Sequence, residues 1–204
     1  MVNGPDDLIR LPEQPVDLKL KRAQSIVGTS AGRPENDFYP TPPEATLALL
    51  AKEEFCGKVW EPACGDGAIS KVLEDQGYRV TSSDLIDRGY GEAPHDFLTS
   101  DWTSDNVVTN PPFTLAQEFV LKSLEATKHN PTGKVAMLCK LVFLEGQKRK
   151  AFFESTPLAR VHVFSKRVQF YREGHQGKLG TSMMAFAWFV WENGHSGPPE
   201  VSWL

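Results

Sequence analysis

Between residues 58 and 191, short apolar runs alternate with amphipathic segments, and few architectures accept that alternation. "KVWEPA" (58–63), "YRVTSSDLI" (78–86), "NVVTN" (106–110), "KVAMLCKLVF" (134–143), "ARVHVFS" (159–165) and "SMMAFAWFVW" (182–191) read as strands. A further short strand is expected in "APHDFLTS" (93–100). The near-continuous apolar character of 134–143 and 182–191 suits strands covered on both faces. Segments of helical period lie between them: "GAISKVLEDQG" (67–77), "LAQEFVLKSLEAT" (115–127) and "EGQKRKAFFES" (145–155). Strand and helix in turn predict the α/β class, with a mostly parallel sheet wrapped by helices in a single domain. A chain of 204 residues is long enough for one well-buried core.

The flanks break this pattern. Residues 1–36 carry scattered Pro, Gly, Asp and Lys and are expected to form a flexible arm, and 192–204 a surface tail, leaving 37–191 as the domain. The domain opens with "NDFYPTPPEATLALLAKE" (36–53), where three prolines make a rigid lead-in and Thr41 is placed to cap the following helix. Ala45, Leu47, Leu49 and Leu50 suit that helix's buried face. No apolar run approaches the roughly 20 residues of a membrane span, and the polar N-terminus does not resemble a secretory signal. Cys56, Cys64 and Cys139 are odd in number and lack metal-like spacing. They point to a reducing cytoplasm with no disulfide framework and no metal.

"VWEPACGDGAIS" (59–70) places the turn Gly65–Asp66–Gly67 between a strand and its helix, where free N–H groups and absent side chains favour a ligand. It is not a dinucleotide fingerprint, because Ser70 stands where the third glycine would fall. Glu61 and Asp66 would repel a pyrophosphate. Asp84, at the end of the second strand, can accept hydrogen bonds from both hydroxyls of a ribose. Asp96, near the end of the third, can accept from an exocyclic amino group. Together they describe a nucleoside with a zwitterionic appendage, the shape and charge of S-adenosylmethionine.

"VVTNPPF" (107–113) then sets the stiffest backbone available beside an amide and an aromatic side chain at a strand end. Taken in order, "DFYPTP", "EPACGDG", "SSDLI", "HDFL" and "TNPPF" resemble the motifs of amino-group methyltransferases, most closely the DNA adenine-N6 methyltransferases. The resemblance spans residues 37–191. It implies a Rossmann-like class I methyltransferase fold, with a mostly parallel seven-stranded sheet, helices on both faces and an antiparallel last strand. It also implies S-adenosyl-L-methionine as cofactor. Glu61, Pro62, Ala63 and Gly65 would hold its methionine part, Asp84 with Leu85 its ribose, and Asp96 with Phe97 its adenine. Tyr39 and Thr41 would close over it, and Asn110 would reach it from the catalytic side.

The chemistry of Asn110, Pro111, Pro112 and Phe113 supports that implication. The exocyclic nitrogen of adenine is a poor nucleophile because its lone pair is delocalised into the ring. If the Asn110 side-chain oxygen and the Pro111 carbonyl accept its two N–H bonds, the nitrogen is drawn toward tetrahedral geometry. The prolines hold those acceptors still, and Phe113 can stack on the base. A paired base is out of reach, so the target must be flipped out or single-stranded.

Overall net charge is −4, yet residues 133–180 carry ten Lys/Arg against three acids. Within that stretch Lys166, Arg167, Arg172 and Lys178 can track phosphates, while Phe170 or Tyr171 lines a base pocket. Phe164 is expected to be packed, and His162 and His175 to be packing or surface residues. Nucleic acid is therefore the expected partner, the resemblance implies DNA, and no membrane is expected.

Other acceptors remain open: an amino group in RNA, or a protein glutamine, although the latter usually goes with tyrosine where Phe113 stands. A non-catalytic cofactor- or nucleic-acid-binding module is the reading from another class. No segment after Pro112 is free to form a separate target-recognition domain, so a relaxed or short sequence preference is expected. The resemblance suits a phage enzyme in a bacterial cytoplasm.

Overall fold

The computed structural model describes residues 38–170 and 184–204. The expected N-terminal arm, together with Tyr171, Arg172, His175 and Lys178, lies outside the described residues. Within them, seven strands form one sheet in the order β2-β1-β3-β4-β6-β5-β7. They are β1 (Lys58–Glu61), β2 (Arg79–Ser82), β3 (Asn106–Thr109), β4 (Lys134–Lys140), β5 (Leu158–Val163), β6 (Phe186–Glu192) and β7 (Glu200–Trp203). The helices are α1 (Pro43–Leu50), α2 (Ala68–Asp75), α3 (Ala116–Thr127) and α4 (Gln147–Glu154). β1 pairs in parallel with β2 and β3, and β3 with β4, whereas β6 runs antiparallel between β4 and β5. The mostly parallel α/β sheet and the antiparallel strand at 186–192 match the expectation.

Alternation along each strand builds two cores. Val59, Val108, Ala136, Leu138 and Trp188 pack on one face against Ala45 and Leu49 of α1 and Ile69 and Leu73 of α2. Trp60, Val107, Val135, Met137 and Phe189 pack on the other against Phe119 and Val120 of α3 and Phe152 of α4. Each large side chain so buried contributes about 1.5–3 kcal/mol. No helix among the described residues is long and apolar enough to cross a membrane.

Three local readings change. Residues 93–100 form no strand. Only Glu92 bridges Ser83, and Phe97–Thr99 is a 3-10 turn whose first N–H groups are met by the Asp96 side chain, which accepts from Leu98 N–H at 3.1 Å. Pro94 lacks a donor, and a capping aspartate offers the backbone a partner that a ladder would have supplied. The seventh strand comes instead from the expected tail. Residues 200–203 pair in parallel with β5, from Arg160↔Glu200 to Val163↔Trp203. β7 was invisible as a pattern because backbone pairing holds it: Val201 and Trp203 stay 54% and 66% exposed.

In α1, Ala45, Thr46 and Leu49 are buried and Leu47 is exposed. Positions 45 and 49 share a face, and 47 lies two residues off it. Thr41 caps nothing, since Pro42 occupies the capping position with no side-chain bond.

A polar knot joins the distal strands. Glu53, after α1, is 4% exposed and accepts from Lys134 Nζ (2.8 Å), His162 Nε2 (2.9 Å) and the Arg160 guanidinium. Arg160 also pairs with Glu192, and His162 Nδ1 meets Ser202 Oγ of β7 at 2.7 Å. His162 is thus a buried packing residue with two polar partners. Lys134 and Arg160 spend their charge here, and Arg149 donates to the carbonyls of Val142, Phe143 and Glu145. The basic excess over 133–180 is therefore partly internal.

Candidate functional site

The parallel strands β1 to β4 share one carboxyl edge, and the order β2-β1-β3 makes β1/β3 the point where connections diverge. Open α/β sheets bind ligands in that crevice. The loop leaving β1 is folded tightly there. Cys64 N–H donates to Ser83 O (3.0 Å) and Gly67 N–H to Cys64 O (2.8 Å), with Gly65 and Gly67 at φ 57° and 83°. Only glycine adopts that left-handed backbone readily. The space above both glycines holds aromatic rings: a Cβ on Gly65 would lie 2.3 Å from Phe38, and one on Gly67 2.6 Å from Tyr90.

Asp84 is clamped by the backbone. Its Oδ2 accepts from Gly65 N–H (2.8 Å) and its Oδ1 from Ile86 N–H (2.9 Å), leaving one lone pair on each oxygen for a ligand. Glu61 is buried and accepts from Ser70 N–H (2.7 Å) and from the Ser70 hydroxyl. The residue replacing a third glycine therefore serves as Glu61's partner. Burial pushes the Glu61 carboxyl well above the usual range. The Ser70 bonds oppose that, and nearby Asp84 and Asp66 reinforce it. Burial, aided by Glu61 and Asp84, likewise pushes the Cys64 thiol up to about 12, which leaves it inert as a nucleophile.

Across the crevice, β3 delivers Asn110. Its Nδ2 donates to Thr41 Oγ1 (3.1 Å) and Tyr39 O (3.4 Å), while its Oδ1 is buried without a partner among the described residues. The hydroxyl expected to cap α1 orients this amide instead. Pro111 is buried, and Pro112 O accepts from Leu115 N–H at 2.9 Å as the chain turns into α3. Phe113 lies 5.7 Å from Phe186 with Lys140 Nζ 4.5 Å over its ring, Phe170 lies 4.8 Å from Phe186, and Tyr39 lies 6.2 Å from Phe170. An aromatic group thus adjoins Asn110.

One cavity runs through these elements. Of the eleven residues expected to hold a cofactor, ten line it: Tyr39, Thr41, Glu61, Pro62, Ala63, Asp84, Leu85, Asp96, Phe97 and Asn110. Gly65 does not line it and acts through Asp84. Lys166 and Arg167 are exposed on the loop after β5, and Phe164 is partly buried against the core as expected. Phe38, Arg88 and His95 also line the cavity; Phe38 and His95 fall within the quoted motifs without an assigned role, and Arg88 carried no sequence signal. Among the described residues no group of three or more His, Cys, Asp or Glu is arranged to hold a metal ion.

No model of a known protein family matches the chain, and no curated protein does. Solved structures do. A modification subunit of a type I restriction enzyme, so described, from Vibrio vulnificus YJ016 aligns with 90% of this chain and 48% of its own, at 14% identity and TM-score 0.55. A Pyrococcus horikoshii protein described as an RNA methyltransferase aligns with 86% of this chain and 97% of its own, at 16% identity and TM-score 0.57. The M protein of the type I restriction enzyme EcoKI aligns at 17% identity and TM-score 0.52, over 77% of this chain and 44% of its own. The chain spans about half the length of the two restriction-enzyme subunits and nearly all of the Pyrococcus protein. It has the Rossmann-like fold of these methyltransferases.

Proposed function

We propose that the chain transfers a methyl group from S-adenosylmethionine to the exocyclic amino group of a nucleic-acid base, with the N6 of adenine in DNA as the acceptor. The observation that carries the reading is the state of Asn110. A buried carbonyl oxygen without a partner costs about 1–3 kcal/mol, and here it lines a cavity while the opposite end of the same amide is held by two acceptors. Such an amide is set to receive an N–H from a ligand.

The donor fits the remaining lining. Its charged side chains are mostly acidic, which suits a net cationic ligand, and Asp84 keeps acceptor capacity beyond its two backbone bonds. When bound, the donor supplies an electrophilic methyl on its sulfonium. Asp84 would take the ribose hydroxyls and Asp96 the adenine amino group, with Phe97, packed on Trp60 and Phe119, as an apolar wall. Asn110 Oδ1 and the Pro111 carbonyl would accept the two N–H bonds of the target amine, freeing its lone pair from the ring. Thr41 and Tyr39 keep the amide from turning, and the prolines keep the carbonyl still. The surplus proton leaves to water.

Thr41→Val removes one restraint on Asn110 without changing the side-chain shape. The expected result is a kcat roughly tenfold lower, about 1–1.5 kcal/mol, with S-adenosylhomocysteine affinity changed less than threefold. Steady-state kinetics beside calorimetry would reveal it, and an unchanged kcat would remove Thr41 from the mechanism.

Tyr39, Phe113 and Phe170 around Asn110 favour a planar base over a peptide. RNA is the second acceptor, favoured by the near full-length match to the Pyrococcus protein. Labelled methyl transfer from S-adenosylmethionine to unmethylated DNA, RNA and protein, followed by nucleoside analysis, tests the assignment. Label on N6-methyladenine in DNA, spread over short or varied sequence contexts, is expected. Label on RNA or protein alone would overturn the DNA acceptor. No transfer despite donor binding would favour a non-catalytic module.

A further inference from the structure

The two edge strands of the sheet, β2 and β7, are guarded differently. β2 exposes Arg79 and Thr81, polar side chains that discourage strand addition, and Glu92 N–H covers its end by donating to Ser82 O at 2.9 Å. β7 instead exposes Val201 and Trp203, each by more than half. Seven large apolar side chains are exposed among the described residues, and five gather here: Val142, Leu144, Met184, Val201 and Trp203. The first four line one groove together with Val163, the residue opposite Trp203 in the sheet. Such a cluster on one side of a molecule marks a contact surface.

The backbone of β7 is open beside that groove. Leu204 turns both of its groups to β5, donating to Val163 O (2.9 Å) and accepting from Ser165 N–H (3.0 Å). Because direction alternates along a strand, Ser202 also faces β5, and the N–H and C=O groups of Val201 and Trp203 point away from it. No strand among the described residues lies on that side.

A second copy of β7, antiparallel and related by a twofold axis through Ser202, meets all of these groups. Val201 then exchanges two bonds with Trp203 of the second copy, and Trp203 two with its Val201. The axis is perpendicular to the sheet, so these side chains share the groove's face, and each indole lies against the other copy's Val201 at the groove mouth. Pro198 and Pro199 lack N–H groups and end the pairing before Glu200, which fixes the register. A nucleic-acid strand fits the groove less well, since among the described residues Arg167 is its single basic lining residue and Glu145 lines it too.

We propose that the chain forms a twofold dimer through β7, joining two seven-stranded sheets into one, with Trp203 as the apolar anchor. The carboxyl edges of the two copies open in opposite directions, so each Asn110 cavity works alone.

Sedimentation equilibrium of the full chain without nucleic acid should show reversible monomer and dimer, with a dissociation constant on the order of 10 μM for an interface this small. Trp203→Ser should weaken association by roughly tenfold or more. Val201→Pro should do the same, because it deletes a donor that faces away from β5 and leaves the β5–β7 pairing whole. Circular dichroism matching wild type in both variants separates lost association from lost folding. A wild type that stays monomeric at about 200 μM overturns the dimer, and so does a dimer that neither substitution weakens. A monomer whose Trp203 fluorescence is quenched by added DNA also overturns it and gives the surface to nucleic acid.

Discussion

Asn110→Ala is expected to lower methyl transfer to DNA by roughly 10²–10³-fold, on the order of 3–4 kcal/mol of barrier. S-adenosylhomocysteine affinity should stay within a few-fold of wild type. The loss is large because the amide contributes an acceptor already fixed in place. Its Nδ2 is held at 3.1 Å by Thr41 and at 3.4 Å by Tyr39, so no ordering remains when the target amine arrives. Alanine removes the acceptor and the reason for those contacts together. Asn110→Asp keeps an oxygen and should retain more activity than alanine. Single-turnover kinetics with saturating donor would read the chemical step directly. An alanine variant within fivefold of wild type would show that the orphaned oxygen does not act on the acceptor.

Glu53→Gln is expected to destabilise the fold by about 3 kcal/mol at neutral pH, with little effect on donor binding. Removing one partner from a buried ion cluster leaves the others uncompensated, typically at 3–5 kcal/mol. Here Lys134 from β4 and Arg160 and His162 from β5 all converge on Glu53, and Glu192 of β6 joins through Arg160. Burial alone would raise the Glu53 carboxyl. The bonds from His162, Arg160 and Lys134 outweigh burial and hold it at about 2.

A carboxyl depressed on folding stabilises the native state above its unfolded pKa, near 4.5, and loses that contribution as pH falls toward the folded value. Urea unfolding of wild type should therefore weaken between about pH 4.5 and pH 2. The gap between wild type and Glu53→Gln should be fully open at pH 7 and close across that window. A gap constant with pH would mean that the glutamine merely packs badly.

These two residues differ in how readable they were. Asn110 announced itself because its chemistry is local: a strand end, two prolines and an aromatic ring specify an immobile acceptor without reference to the rest of the chain. The same holds for the glycine turn and for Asp84, whose places follow from where a strand stops, whereas the strand expected to carry Asp96 does not form. Glu53 is an ordinary acid after a helix until α1, β4, β5 and β6 bring three basic groups to it from sequence distances of up to 109 residues. Arg88 likewise has no pattern of its own and meets Phe38 only because the fold sets the segment before α1 beside the turn after β2.

Periodicity and turn chemistry by themselves determined the α/β class and the parallel core strands, and pointed to Asn110 as the candidate acceptor amide, because backbone restriction and side-chain alternation act within a few residues. Only the tertiary structure decided that Thr41 orients Asn110 instead of capping a helix, and that Asp96 closes a 3-10 turn instead of a strand. It also recruited the last residues as an edge strand. For Thr41 and the last strand the winning hydrogen-bond partner lies far along the chain, since a polar group takes whichever partner folding brings within reach, whereas Asp96 takes the local N–H of Leu98.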